Sequence, residues 1–196
     1  MKQSQVAEGV IRAAVALFAE RGYANTSVQD IVAAAGVTKG AMYHYFESKD
    51  DLLFGIYDSL LSLQQSRLDA IIAAGGATED VVRAACVDVL ETSIEHLAEG
   101  SVFFRSMEML SAPRRAEVVR RRRIYNDAFG DLLRQGQREG SFRDDVPVAV
   151  LIAHFFSDVH YLFHWYSAEK FTAESPVPEQ LTELFLVSLR APVTAG

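Results

Sequence analysis

An all-α fold is predicted for this chain, on three observations. Apolar residues recur at three- and four-residue spacing along nearly its whole length. Gly22, Gly36, Gly75-Gly76, Gly100, Gly140, Pro113 and Pro178 punctuate those runs where helices should end or begin. No stretch alternates apolar and polar residues as a half-buried strand would. The expected architecture has about nine helices. Residues 1–48 form a three-helix unit, and residues 49–196 a larger helical domain.

The first helix places Val6, Val10, Ile11, Ala14, Leu17 and Phe18 on one face and stops at Gly22. In the second, Val28, Ile31, Val32 and Ala35 recur at helical spacing, and Thr26 with Gln29 reads as a capping box. Gly36 supplies the backbone freedom of a sharp turn. Thr38 then caps a third helix of about two turns. Val37, Met42 and Phe46 anchor it inward, leaving Lys39, Gly40, Ala41, Tyr43 and His44 outward. Ser48 caps a long helix with Lys49 in its first turn, and Leu53, Ile56, Leu60, Leu63, Leu68 and Ile71 carry its apolar stripe towards Ala74.

Thr78 is expected to cap the next helix, with Glu79 and Asp80 near its positive end, running to about Glu99 before Gly100. A short helix over 101–111 groups Phe103, Phe104, Met107 and Leu110 on one side. Pro113 opens a helix reaching about residue 140, and residues 140–147 form a turn. Residues 146–166 read as a helix apolar nearly all round, 167–178 as a loop, and Pro178 as the first position of a last helix ending near Leu189. Residues 191–196 are expected to fray.

The segment 26–50 carries the clearest functional signal. Two short capped helices across a glycine turn, with small, cationic and aromatic side chains outward, suit a helix-turn-helix entering the DNA major groove. They could also be ordinary parts of a helical core, but two features weigh against that. Gly40 costs a helix about 1 kcal/mol relative to Ala, which a close approach by a partner would explain. Lys39, Tyr43, His44 and Lys49 form a donor set suited to phosphates, and Thr26 and Ser27 would hold phosphate at the preceding helix start. The expected DNA contacts are therefore Thr26, Ser27, Thr38, Lys39, Gly40, Ala41, Tyr43, His44 and Lys49.

This segment, above all Ala35-Gly-Val-Thr-Lys-Gly-Ala-Met-Tyr-His-Tyr-Phe-Glu-Ser-Lys-Asp-Asp-Leu-Leu53, resembles the DNA-binding domain of the TetR family of transcriptional regulators. The departure is small: Val32 stands where many members carry Ala. The resemblance implies an all-helical homodimer on a double-stranded operator, with a C-terminal domain in which a small molecule controls DNA affinity. His164-Trp-Tyr-Ser-Ala-Glu-Lys, a loop and a last helix with Leu181, Leu184 and Phe185 are similar to a TetR subgroup governing fatty-acid, sterol and acyl-CoA catabolism. That second likeness implies an acyl-CoA thioester as effector.

Composition agrees with such a protein. The net charge of −7 lies entirely beyond residue 50, because residues 1–50 carry five Lys/Arg and five Asp/Glu. Local donors, not the global sign, must then carry DNA binding. No apolar run approaches the roughly 20 residues of a membrane span, and the polar N-terminus does not read as a signal peptide, so a cytoplasmic location is expected. Cys86, the single cysteine, reads as a small buried apolar residue.

No catalytic signature is visible, no cofactor is expected, and an enzyme is not. His160 and His164 are four apart and could place two imidazoles on one metal, or could be pocket or interface residues. No metal site is assigned, although a metal- or other small-molecule-responsive regulator of the same fold stays the alternative. The helix over 146–166 should meet its own domain on one face and a second copy on the other, pairing with the helix over 178–189 in a homodimer. Arg122 falls inside the apolar face of the 113–139 helix, between Val118 and Phe129. It would pair with an acid such as Glu108, snorkel outward, or meet an anionic ligand head group. The effector is expected among Phe103, Phe104, Met107, Leu110, Arg122, Tyr125, Phe129, His154, Phe155, Tyr161, His164 and Trp165.

Overall fold

A computed structural model describes residues 2–167, 170–171 and 175–190, with side chains from residue 5 onward. Among these every regular element is helical: α1 (Lys2–Arg21), α2 (Val28–Ala35), α3 (Lys39–Tyr43), α4 (Lys49–Ala74), α5 (Thr78–Glu95), α6 (Leu97–Ser106), a 3-10 turn (Met107–Met109), α7 (Ala112–Glu139), α8 (Val148–Trp165) and α9 (Val177–Leu189). The expected tail over 191–196 and part of the expected loop over 167–178 lie outside the described residues.

The chain divides into two compact units: Met1–Leu61 with His96–Arg120, and Ser62–Glu95 with Arg121–Gly196. In the first, Val10, Ala14, Leu17 and Phe18 of α1 pack with Ile31, Val32, Met42, Phe46, Leu52, Leu53 and Ile56. Phe103 of α6 joins the same core and stacks on Tyr57 with ring centroids 3.6 Å apart. The second unit has a separate core. Phe129 lies against Phe155, Phe156 and Phe185 there, with Cys86, Leu90 and Leu133 beside them. Cys86 is fully buried, and burial pushes its thiol pKa up.

Local chemistry explains the helix ends. Gly36 takes a left-handed backbone (φ 65°), and its amide reaches the carbonyls of Val32 and Ala33 to close α2. Gly75 and Gly76, at φ 67° and 133°, end α4. The Ser48 hydroxyl accepts the Asp51 amide at 2.9 Å, as a cap should.

Several boundaries differ from expectation. The helix expected over 101–111 is α6, ending at Ser106, and then a 3-10 turn, and Pro113 is the second residue of α7. The break between α5 and α6 falls at His96 (φ −109°, ψ 35°), and Gly100 sits buried inside α6. Thr78 does not cap α5; it is the first helical residue, and its hydroxyl donates to Glu139 Oε2 of α7 at 2.5 Å. A carboxylate brought in from 61 residues away outcompetes the local amide. Pro178 occupies the second helical position of α9, after Val177.

Candidate functional site

The five-residue α3 is held from both sides. Thr38 accepts the Ala41 amide at 3.1 Å to start it, and Met42, fully buried, pins it to the core. That geometry turns Lys39, Gly40, Tyr43 and His44 to solvent, with Ala41 half-buried. Tyr43 is 49% exposed although it is a large aromatic residue. A side chain built at Gly40 would meet, among the described residues, only Thr38 Oγ1 at 3.9 Å. Among the described residues the glycine therefore answers no packing need, and it leaves room beside Lys39 and Tyr43. An exposed helix face of this kind, small in the middle and carrying donors at its edges, fits a DNA groove.

The neighbouring cap is one residue later than expected. Ser27, not Thr26, caps α2, and Asp30, not Gln29, completes the box. The Ser27 hydroxyl accepts the Asp30 amide at 3.1 Å, and Asp30 Oδ2 accepts the Ser27 amide at 2.8 Å. These bonds hold the Asp30 carboxyl below its usual range. Ser27 is exposed at the helix start, as a phosphate contact would require. Thr26 is only 1% exposed, and its hydroxyl donates to the Gly22 carbonyl at 2.9 Å. It satisfies an orphan carbonyl at the end of α1, so its side chain is not available to a phosphate.

Lys49 is also more engaged than its position suggested. Its ammonium donates to the carbonyls of Tyr23 and Thr26, each at 2.9 Å, and lies 4.2 Å from the Tyr23 ring centroid. Partial burial lowers its pKa. Two of its three N–H donors are thus spent inside the protein, leaving one for a phosphate.

The residues expected to line one effector pocket divide between the two cores. Phe103 and Leu110 fill the first, with Phe104 and Met107 packed against it. Tyr125, Phe129 and Phe155 fill the second, with Trp165 at its edge. An apolar face on a short helix does not say which core it will join, and the sequence pattern could not separate the two. His154, Tyr161 and His164 stand on the exposed side of α8, opposite Leu151, Phe155, Val159 and Leu162.

Arg122 is half-buried, and its Nη2 lies 2.7 Å from Nε2 of His160. Guanidinium has no acceptor, so the imidazole must accept, which requires its neutral form. Burial, and then the Arg122 charge, pull the His160 pKa down to about 4. Glu108, considered as a partner for Arg122, instead pairs with Arg115 at 3.5 Å.

A cavity of about 570 Å³ opens in the second unit between Glu91, Ile94 and Glu95 of α5, Tyr166, and the segment from Ser175 to Glu179. None of the expected effector residues lines it. Its three carboxylates suit it poorly to an anion; Glu91 is raised by desolvation and by the neighbouring acids. Among the described residues no helix is long and apolar enough to cross a membrane.

Asp50, Asp51, Ser111 and Arg114 were not anticipated as part of this site. Ser111 gives Asp50 two hydrogen bonds, and Arg114 pairs with Asp51. The consecutive charges Lys49-Asp50-Asp51 at a helix start were the available signal.

Known proteins match this arrangement over both units. Residues 10–56 match the family of bacterial regulatory proteins, tetR family, and residues 65–189 match the tetracyclin repressor-like C-terminal domain. The HTH-type transcriptional repressor KstR2 of Mycobacterium tuberculosis is 30% identical over 164 residues, covering 80% of this chain and 79% of that protein. Its solved structure, a ketosteroid transcriptional regulator, superposes with a TM-score of 0.81 at 24% identity over 95% of each chain. AibR, solved in complex with isovaleryl coenzyme A and operator DNA, gives a TM-score of 0.74 at 22% identity, covering 95% of this chain and 99% of that one. With both parts of the chain matched and the helix-turn-helix formed, this protein belongs to the TetR family of DNA-binding transcriptional regulators.

Proposed function

We propose that this protein is a cytoplasmic, ligand-responsive repressor. As a homodimer it occupies a pseudo-palindromic operator, and a hydrophobic anionic effector of acyl-CoA type releases it. The carrying observation is the outward face of α3, where Lys39, Gly40, Tyr43 and His44 are exposed and a side chain at Gly40 would meet nothing closer than 3.9 Å among the described residues. Residues 1–48 would serve DNA, and residues 49–196 ligand binding and dimerisation. Lys39 reads a base edge, while Ser27, Thr38, Tyr43 and the remaining donor of Lys49 meet phosphates.

Dimerisation is supported by α8 and α9, whose outer faces leave Val150, Tyr161, Leu184 and Val187 each more than half exposed. A second copy would cover them and set the recognition helices about 34–36 Å, or a larger distance, apart along one side of the duplex. The effector reading rests on Arg122, a half-buried cation held by a neutral histidine within the second unit. A guanidinium so placed suits a carboxylate, phosphate or thioester-linked nucleotide. AibR, solved with isovaleryl coenzyme A, supports an acyl-CoA ligand, and KstR2, a ketosteroid transcriptional regulator, supports only its hydrophobic part.

Selection from a pool of randomised duplexes, followed by anisotropy titrations with and without a panel of acyl-CoAs, tests this. The expected result is one pseudo-palindromic motif, affinity that falls steeply with salt, and release by at least one thioester. A monomer at micromolar concentration, or duplex binding indifferent to both sequence and salt, would contradict the reading.

A further inference from the structure

We infer that Ser111 and Arg114, at the start of α7, are positioning residues for DNA binding: through the first turn of α4 they set the recognition helix α3. The inference rests on the DNA-binding reading above. Three consecutive side chains at the start of α4 each grip a different partner. Lys49 donates to the Tyr23 and Thr26 carbonyls and so holds the turn between α1 and α2. Asp50 accepts from the Ser111 amide at 3.0 Å and the Ser111 hydroxyl at 2.7 Å. Asp51 takes the Arg114 guanidinium with one oxygen and the Glu47 amide, at 3.0 Å, with the other.

The last of these reaches α3. Glu47 directly follows Phe46, the buried residue that ties the end of the recognition segment to the core. A pull on Asp51 is thus a pull on the peptide next to that anchor. Arg114 is itself fixed, because its guanidinium lies 4.6 Å from the centroid of the Phe54 ring, and Asp51 keeps only 17% of its side chain exposed. This is not the loose, solvated ion pair that contributes little. The start of α7 is therefore fastened to the start of α4 at two points, three residues apart. Neither Ser111 nor Arg114 lies on α3 or at the start of α2, and their side chains find their polar partners in Asp50 and Asp51, so their effect on DNA runs through those two carboxylates.

The test compares the full-length wild type with Arg114→Met, Asp51→Asn, the double variant and Ser111→Ala. Affinities are measured for the selected operator and for a scrambled duplex of equal length, well below each variant's Tm. Arg114→Met and Asp51→Asn should each weaken operator binding roughly tenfold while affinity for the scrambled duplex and its salt slope stay as in wild type, because base contacts are lost and phosphate contacts are not. The double variant should be no worse than the poorer single one, since Arg114 acts through Asp51. Ser111→Ala, which removes one bond and no charge, should show the same selective loss in smaller measure. Variants whose Tm falls while operator affinity is unchanged, or losses that multiply in the double variant, would overturn the inference. A wild type with no operator preference would instead sink the DNA-binding reading, and the inference with it.

Discussion

Each of the two units has its own kind of internal polar contact. In the first, most hydrogen bonds join residues three or four apart at helix ends: Ser27 with Asp30, Thr38 with Ala41, Ser48 with Asp51 and Glu47 with Asp51. In the second, polar groups meet across helices and across sequence: Gln64 with Ser93, Arg67 with Asp88, Arg122 with His160 and Thr78 with Glu139. Local bonds leave the exposed side chains of α3 free for a partner. Cross-helix bonds tie helix to helix, buried at Gln64–Ser93 and part-buried at the other three, and a ligand entering between those helices must displace or extend them. The first region presents a surface, and the second binds its helices to one another.

The sharpest way to break the second region alone is Phe129→Ala. Phe129 is fully buried among Phe155, Phe156 and Phe185, and its loss should cost about 3–5 kcal/mol in denaturant unfolding. An effect under about 1 kcal/mol would mean that this core is loosely packed around a cavity.

Acid titration separates the regions next. Above pH 6.5 the His160 imidazole is neutral folded and unfolded, so it adds no slope. Between 6.5 and about 4 the unfolded chain takes up a proton that the folded one refuses, so stability falls as pH falls. The loss should approach about 3 kcal/mol, and His160→Gln, which keeps an acceptor for Arg122, should be free of it. Parallel stability–pH curves for the two proteins would show that His160 protonates freely in the fold.

On the first region, Lys39→Ala should cost roughly 1–3 kcal/mol at the operator and relax preference at one base pair. Tyr43→Ala should weaken all duplexes alike. Ser27→Ala sits lowest, at about 1 kcal/mol of stability, from the lost α2 cap. A larger loss there would mean that Ser27 does more than cap.

Local and long-range contacts differ in the same way in how far the sequence reveals them. The helix-turn-helix, the Ser48 cap, the glycine that closes α2 and the exposure of Lys39, Tyr43 and His44 were legible because each depends on residues a few positions apart. Thr26 was misread by one position, since two adjacent hydroxyls could each cap α2, and only the orphan carbonyl of Gly22 decides between them. Lys49 looked like a surface donor because the turn it clamps lies 23 to 26 residues earlier. In the second unit Arg122 was recognised as a charge out of place, but its partner lay 38 residues away. Nor could periodicity say that Phe103 and Phe129 fill different cores.

One double comparison tests most directly whether the two regions carry separable functions. Lys39→Ala and Arg122→Met are each titrated with operator, and each is melted with the acyl-CoA that best releases the wild-type complex. Lys39→Ala should bind the operator more weakly, with preference relaxed at one base pair, and keep the full thermal shift with the thioester. Arg122→Met should bind operator like wild type and lose most of the shift and the release. A thermal shift retained in full by Arg122→Met, with release intact, would contradict the assignment of Arg122 as the effector's counterion and with it the division of labour between the two regions.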